Sequence, residues 1–159
     1  MTESELGASS QAMPVWIRSR ALQQRPVRHA VLRWRAEVML DSLGLPDAEL
    51  SILLCDDATI RELNRQYRKM SKATDVLAFP MQEGPGPRAQ PELLGDIVIS
   101  IPTARRQAAE HDRPIVQEVT FLLAHGLLHL LGHDHVSKRE EREMTARTEE
   151  LLASVEAAR

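Results

Sequence analysis

Two kinds of hydrophobic pattern take turns along this chain: short alternating or continuous apolar runs, and longer runs with a helical repeat. Short runs at residues 15–18, 49–55, 75–79 and 93–100 predict four strands, the third closed by Pro80. Helical spacing predicts a helix over 27–43, with Val27, Ala30, Val31, Trp34, Val38 and Leu45 marking its apolar side and Gly44 stopping it. Asp57 is placed to cap a second helix over about 58–67. Pro102 suits the start of a third, continuing over 103–111. A strongly apolar helix over 116–131 ends at Gly132, and a charged amphipathic one covers 138–157 with Met144, Leu151, Leu152 and Val155 inward. Gly95-Asp96 inside the fourth strand marks a bulge or a close backbone approach. The sum is a single α+β domain over residues 14–159, with about four strands and five helices. Residues 1–13 have the composition of a disordered tail, and the Gly- and Pro-rich stretch 82–91 reads as a loop.

Composition changes this picture little. The 159 residues are enough to bury a real core, and a 43% hydrophobic, 27% charged balance is that of an ordinary soluble domain. Aromatics at 3% argue against the stacking platforms of many single-strand binders, and a net charge of −3 argues against a general polyanion coat. The lone Cys55 rules out an intramolecular disulfide and a cysteine-based zinc knuckle, and reads as the buried end of a strand. No run approaches the ~18 apolar residues of a membrane span, and the acidic start (Glu3, Glu5) is unlike a secretory signal. A cytoplasmic protein without membrane contact is the simplest expectation.

The chemistry gathers in His125-Gly-Leu-Leu-His129-Leu-Leu-Gly132-His133-Asp134-His135. Histidines four apart on a helix stand ~40° from each other and one turn along, so His125 and His129 can clamp one ion from one rigid element. A single histidine on an apolar helix is an everyday core residue. Four within eleven residues, in a chain with six, call for a shared partner. Gly132 can take the left-handed conformation that reverses the chain and brings His133 or His135 back; His135 is preferred, because His133 follows the glycine directly and should face solvent. Asp134 could then orient a ligand imidazole or cap the next turn. Three neutral imidazoles with an open position suit a catalytic zinc, with manganese or nickel also compatible. His29 and His111 read as ordinary surface histidines.

Metalloproteases of the His-Glu-x-x-His type carry their general base directly after the first histidine, where this chain has Gly126. Gly126 should instead bring a neighbouring segment close to the metal. Glu118 reads as a solvated or capping residue near the helix start.

These residues resemble the YbeY family of rRNA-maturation endoribonucleases, whose signature is His-Gly-x-Leu-His-Leu-x-Gly-x-Asp-His. Two further blocks support the resemblance: Leu63-Asn-Arg-Gln-Tyr-Arg68 followed by Thr74-Asp-Val-Leu-Ala-Phe-Pro80, and Leu94-Gly-Asp-Ile-Val-Ile99. Together they cover roughly residues 50–155. The chain departs from the family pattern at Ser71 and Ala73, where Asp and Pro are usual, and at Ala78, where Ser is usual. The resemblance implies a small mixed sheet, zinc on His125, His129 and His135, and Arg68 as the basic residue beside it. It further implies metal-dependent cleavage of single-stranded RNA, maturation of the small-subunit rRNA 3′ end and ribosome quality control. The partners so implied are rRNA and the ribosome or its small-subunit assembly factors, with no preference for DNA.

Zinc chemistry fits such a reaction either by activating water or as a Lewis acid, with His125 and His129 in the catalytic centre and Arg68 offering a planar fork to phosphate oxygens. Two basic runs, Arg18, Arg20, Arg25, Arg28, Arg33 and Arg35, then Arg61, Arg65, Arg68, Lys69 and Lys72, are expected to line one groove leading to the metal. Two other readings are compatible: a ribosome-associated protein whose metal serves the fold, and a zinc hydrolase of another substrate.

Overall fold

Parallel and antiparallel pairings combine in one four-stranded sheet. The computed structural model describes residues 15–69, 74–81, 92–134 and 137–159. The expected tail at 1–13, the loop at 82–91 and the ligand His135 lie outside the described residues. Strands β1 (Val15–Arg20), β2 (Glu49–Cys55), β3 (Val76–Pro80) and β4 (Leu93–Ser100) stand in the order β1-β2-β4-β3. β1, β2 and β4 run parallel, and β3 closes one edge antiparallel to β4. Five helices complete the described residues: α1 (His29–Ser42), α2 (Asp57–Arg68), α3 (Ile101–Glu110), α4 (Ile115–Leu130) and α5 (Lys138–Ala157). The α+β class, the mixed sheet and the element sequence match the expectation within one or two residues at each end.

The main core lies between the sheet and α1, α4 and α5, joining Leu50, Ile52, Ile97 and Ile99 to Leu123, Leu127 and Leu151. A smaller cluster under α2 holds Cys55, Ile60, Leu77 and Val98. Burial pushes the Cys55 thiol up to about 12, so it stays an inert protonated packing residue, as its sequence setting indicates.

The inward face of α1 differs from the expected one. Leu32, Arg35, Ala36, Met39 and Leu40 are buried, whereas Ala30 and Trp34 are exposed and Val31 and Val38 only partly covered. The spacing 32-35-36-39-40 is a full helical stripe, disguised because an arginine occupies its centre. Arg35 buries its stem there, and its Nη1 donates to Thr120 Oγ1 on α4 at 2.9 Å.

The cap of α2 also differs. Asp56 is the N-cap and accepts from the Thr59 amide at 2.9 Å, while Asp57 is the first helical residue. The Asp57 carboxylate instead accepts from Ser100 Oγ (2.6 Å), Thr103 Oγ1 (2.6 Å) and Arg106 Nη2 (2.9 Å), tying α2 to the start of α3. Burial opposes its ionisation, but these three donors outweigh it and hold the carboxyl below its usual range. A depressed folded value stabilises above the unfolded carboxyl pKa of ~3.9 and is lost as pH falls through the folded value. Asp57→Asn should therefore lower Tm at pH 7, with the gap to wild type closing on acidification; melting curves across pH check this.

Ser100 caps α3 through the Thr103 amide, with Pro102 in the first turn as expected. α5 starts on a reciprocal capping box: Glu140 N donates to Ser137 Oγ at 3.1 Å and Ser137 N to Glu140 Oε1 at 3.3 Å. Gly95 in β4 has φ +138°, and β2 shifts register opposite it. Both the bulge and the close approach expected there are present.

Candidate functional site

α4 carries the site because one of its faces is apolar and the adjoining one holds the histidines. It packs on the sheet so closely that a Cβ at Gly126 would stand 2.9 Å from Ile97 Cγ2 of β4. The segment that Gly126 brings close is thus the central sheet. This contact sets the depth at which His125 and His129, on either side of it, stand beside the sheet edge.

The two imidazoles adjoin as the four-residue spacing requires, with ring centroids 4.9 Å apart and planes at 70°. Both are half-buried, flanked on the helix by the buried Ala124, Gly126, Leu127, Leu128 and Leu130. Phe121, one turn earlier, stacks on His125 at 6.0 Å. At the other end α4 stops in a paired turn: Gly132 N donates to His129 O at 3.0 Å and His133 N to Leu128 O at 2.9 Å. Gly132 sits at φ +95°, the left-handed conformation expected of it. The chain therefore turns back directly after the helix, and Asp134 comes to line the same cleft as His125 and His129. His133 is partly covered rather than fully solvent-facing.

That cleft, about 550 Å³, is walled by α4 on one side and by Thr74, Asp75, Val76 and Ala78 on another. Arg68, the last residue of α2, also borders it. Lys69 follows in the left-handed conformation (φ 56°), its amide donating to Asn64 O, so the helix ends abruptly and leaves Arg68 exposed at the cleft. Asp75 Oδ1 accepts from the Val76 amide at 2.8 Å, and Oδ2 accepts from Gln107 Nε2 at 3.3 Å. This fixes the turn that leads into β3. Thr74 and Asp75 were not singled out as cleft residues from the sequence, since a polar pair before a short strand is ordinary turn chemistry.

The described residues of the two basic runs do not share one groove. β1 and β3 form opposite edges of the sheet, so the run beginning at Arg18 starts on the edge away from the cleft. Arg35 is interior, Arg33 Nε donates to Val15 O at 3.2 Å, and Arg65 is paired with Glu62. Among the described residues only Arg68 of the two runs borders the cleft, and Lys72 lies outside them.

Glu118 is neither solvated nor a cap. It is 0% exposed and accepts from His111 Nδ1 at 2.7 Å and Arg113 Nη2 at 2.5 Å, both from the turn between α3 and α4. His111 is accordingly an exposed partner of a buried carboxylate, and His29 shares a 2.8 Å hydrogen bond with Ser19 Oγ. Removing the carboxylate in Glu118→Ala leaves Arg113 facing a cavity, and since both partners reach solvent the cost should be about 2–3 kcal/mol, below the ~3–5 of a fully buried pair. Chemical denaturation measures it.

The donor chemistry is compatible with a metal ion: two imidazoles adjoin on one rigid helix, half-shielded, beside a polar cleft. The same residues exclude a protease of the His-Glu-x-x-His type, because Gly126 packs on Ile97 where that base would stand.

A family model described as endoribonuclease YbeY matches residues 19–156. Relatives of that description include one from Myxococcus xanthus, 48% identical over 130 residues, which is 82% of this chain and 44% of that protein. Another, from Syntrophotalea carbinolica, is 48% identical over 76% of this chain and 81% of its own. A third, from Persephonella marina, is 41% identical over 86% and 90%. The solution structure of TM1509 from Thermotoga maritima, 24% identical, superposes with a TM-score of 0.63 over 89% of this chain and 88% of that one, which shows the fold.

Proposed function

The chain belongs to the YbeY endoribonucleases, metalloproteins that hydrolyse RNA phosphodiester bonds, and from that premise we propose that it cuts single-stranded rRNA in the cleft between α4, β3 and the end of α2. The observation that carries this placement is the convergence of His125, His129 and Arg68 on one polar cleft. His125 and His129, with His135 following Gly132, would hold a zinc ion. A zinc ion held there supplies Lewis acidity toward phosphate oxygens or activates water at neutral pH.

The remaining work falls to side chains of the chain. Arg68 presents paired N–H donors to non-bridging oxygens and steadies the charge that grows on them as the bond breaks. Its position at an abruptly ended helix gives it the reach of a long stem from a fixed base. Asp134 orients an imidazole, and Asp75 keeps β3 aligned so that Val76 and Ala78 form a non-polar wall against bulk water. Gly126 holds α4 at the depth that lets both imidazoles face the cleft. Residues 14–159 form a single catalytic domain. The substrate is the 3′ region of small-subunit rRNA, met on the ribosome or its assembly intermediates in the cytoplasm.

Arg68→Ala should slow cleavage by ~10²–10³-fold, the cost of losing one charge-stabilising donor, while leaving zinc content and Tm unchanged. Single-turnover cleavage of a 3′-extended rRNA fragment, with elemental analysis of the same sample, tests this. Undiminished cleavage by the variant would remove Arg68 from the reaction.

A further inference from the structure

His125 has a second exposed side. Away from the cleft it borders a separate pocket of about 330 Å³ between α4 and α5, at the lower end of the ~300–1,000 Å³ range of small-ligand sites. The floor is apolar: Phe121, Met144 and Leu152, with Thr148 turned inward to donate to Met144 O at 2.7 Å. The rim on α5 is polar and acidic, formed by Glu141, Thr145 and Glu149 at spacings of four that set them along one face.

We propose that this pocket is a nucleobase subsite, which takes the base beside the scissile phosphate and prefers guanine. The inference rests on the reading of the cleft as an RNA-cleaving site. Three observations support it. The His125 imidazole borders both spaces, so a nucleotide with its phosphate in the cleft has its base within reach of the pocket. An apolar floor beside an aromatic ring suits a flat heterocycle and offers nothing to a phosphate. The two rim carboxylates repel the RNA backbone and accept only from donors. Arg68 borders the cleft and does not border the pocket, so phosphate and base are sorted by charge. Among bases, guanine alone offers adjacent ring and amino N–H groups to one carboxylate, whereas uracil offers a single ring N–H.

Two measurements on the full chain test the proposal. In the first, the zinc-loaded protein cleaves single-stranded oligouridines carrying one G, A, C or U at a central position. Cleavage beside G should show a KM about tenfold lower than beside U. The double substitution Glu141→Gln, Glu149→Gln should reduce that preference, read as the ratio of KM beside U to KM beside G, to under about threefold. In the second, guanosine and uridine monophosphates are titrated against labelled protein and followed by amide chemical shifts, which needs no cleavage. Guanosine-dependent shifts at Phe121, Thr145 and Glu149 support the subsite. Shifts absent from those positions, or a guanine preference that survives the double substitution, overturn it. If no oligonucleotide is cut yet guanosine still binds there, the cleavage reading fails and the subsite stands.

Discussion

His129→Ala is expected to yield a folded protein that no longer retains stoichiometric zinc and cleaves RNA at the background of the assay. His129 is half-exposed at the last turn of α4, so its loss opens no core cavity and Tm should change little in metal-free protein. What it removes is one jaw of the clamp that the 4.9 Å approach to His125 defines. The proposed three-imidazole site, reduced to two, should lose more affinity than the ~10–100-fold that follows loss of an outer partner. Elemental analysis after gel filtration, with a circular-dichroism melt, separates loss of metal from loss of fold. A variant that keeps one zinc per chain would assign the ion to other residues.

Gly95→Ala should be the most damaging single methyl in the described fold. Its Cβ would stand 2.2 Å from Phe79 O of β3 and 2.9 Å from Met81 N just after it, both backbone atoms, so no side-chain rotation relieves the clash. The φ of +138° adds strain for any L side chain. By contrast the Cβ of Gly126→Ala meets side-chain rather than backbone atoms, those of Ile97, and at 2.9 Å or more. We expect about 3–5 kcal/mol lost for Gly95→Ala, combining overpacking with a disallowed backbone. That is a large part of the ~5–15 kcal/mol that holds a domain together. Because β3 would be displaced, the Val76–Ala78 wall of the cleft should move too, so activity should fall before global unfolding. Urea denaturation and cleavage rates on the same samples check both; a loss under about 1 kcal/mol would mean that β3 and β4 separate at little cost.

Local signals decided how much of this was readable in the amino-acid order. The amphipathic repeat with Met144, Leu151, Leu152 and Val155 inward announces α5 to the residue, because the signal lies within the helix itself. Gly132 announces the turn after α4, since a left-handed position favours glycine. Amino-acid order is silent where the deciding partner is distant. Two consecutive aspartates stand at the start of α2, and only Ser100, Thr103 and Arg106, more than forty positions on, settle that Asp57 is a tie and Asp56 the cap. Arg35 hides the true face of α1, because its burial depends on Thr120, 85 positions away. Glu118 looks solvated until His111 and Arg113 fold over it. The basic runs share a sign but not a surface, and strand order, which places β1 and β3 at opposite edges, is a property of the assembled sheet. At the site, the histidine spacing was legible because it acts within a single helix. The lining from β3 and the pocket on α5 were not, because they arise from packing.

The central claim is that a metal held by the α4 histidines is required for RNA cleavage in this cleft. The most direct measurement is cleavage of a 3′-extended small-subunit rRNA precursor by the purified chain, before chelation, after it, and after return of zinc. The account predicts loss of cleavage on chelation and recovery with about one zinc per chain in wild type, and no recovery in His129→Ala. Full-rate cleavage by the chelated protein, or recovery in the variant equal to wild type, would contradict it.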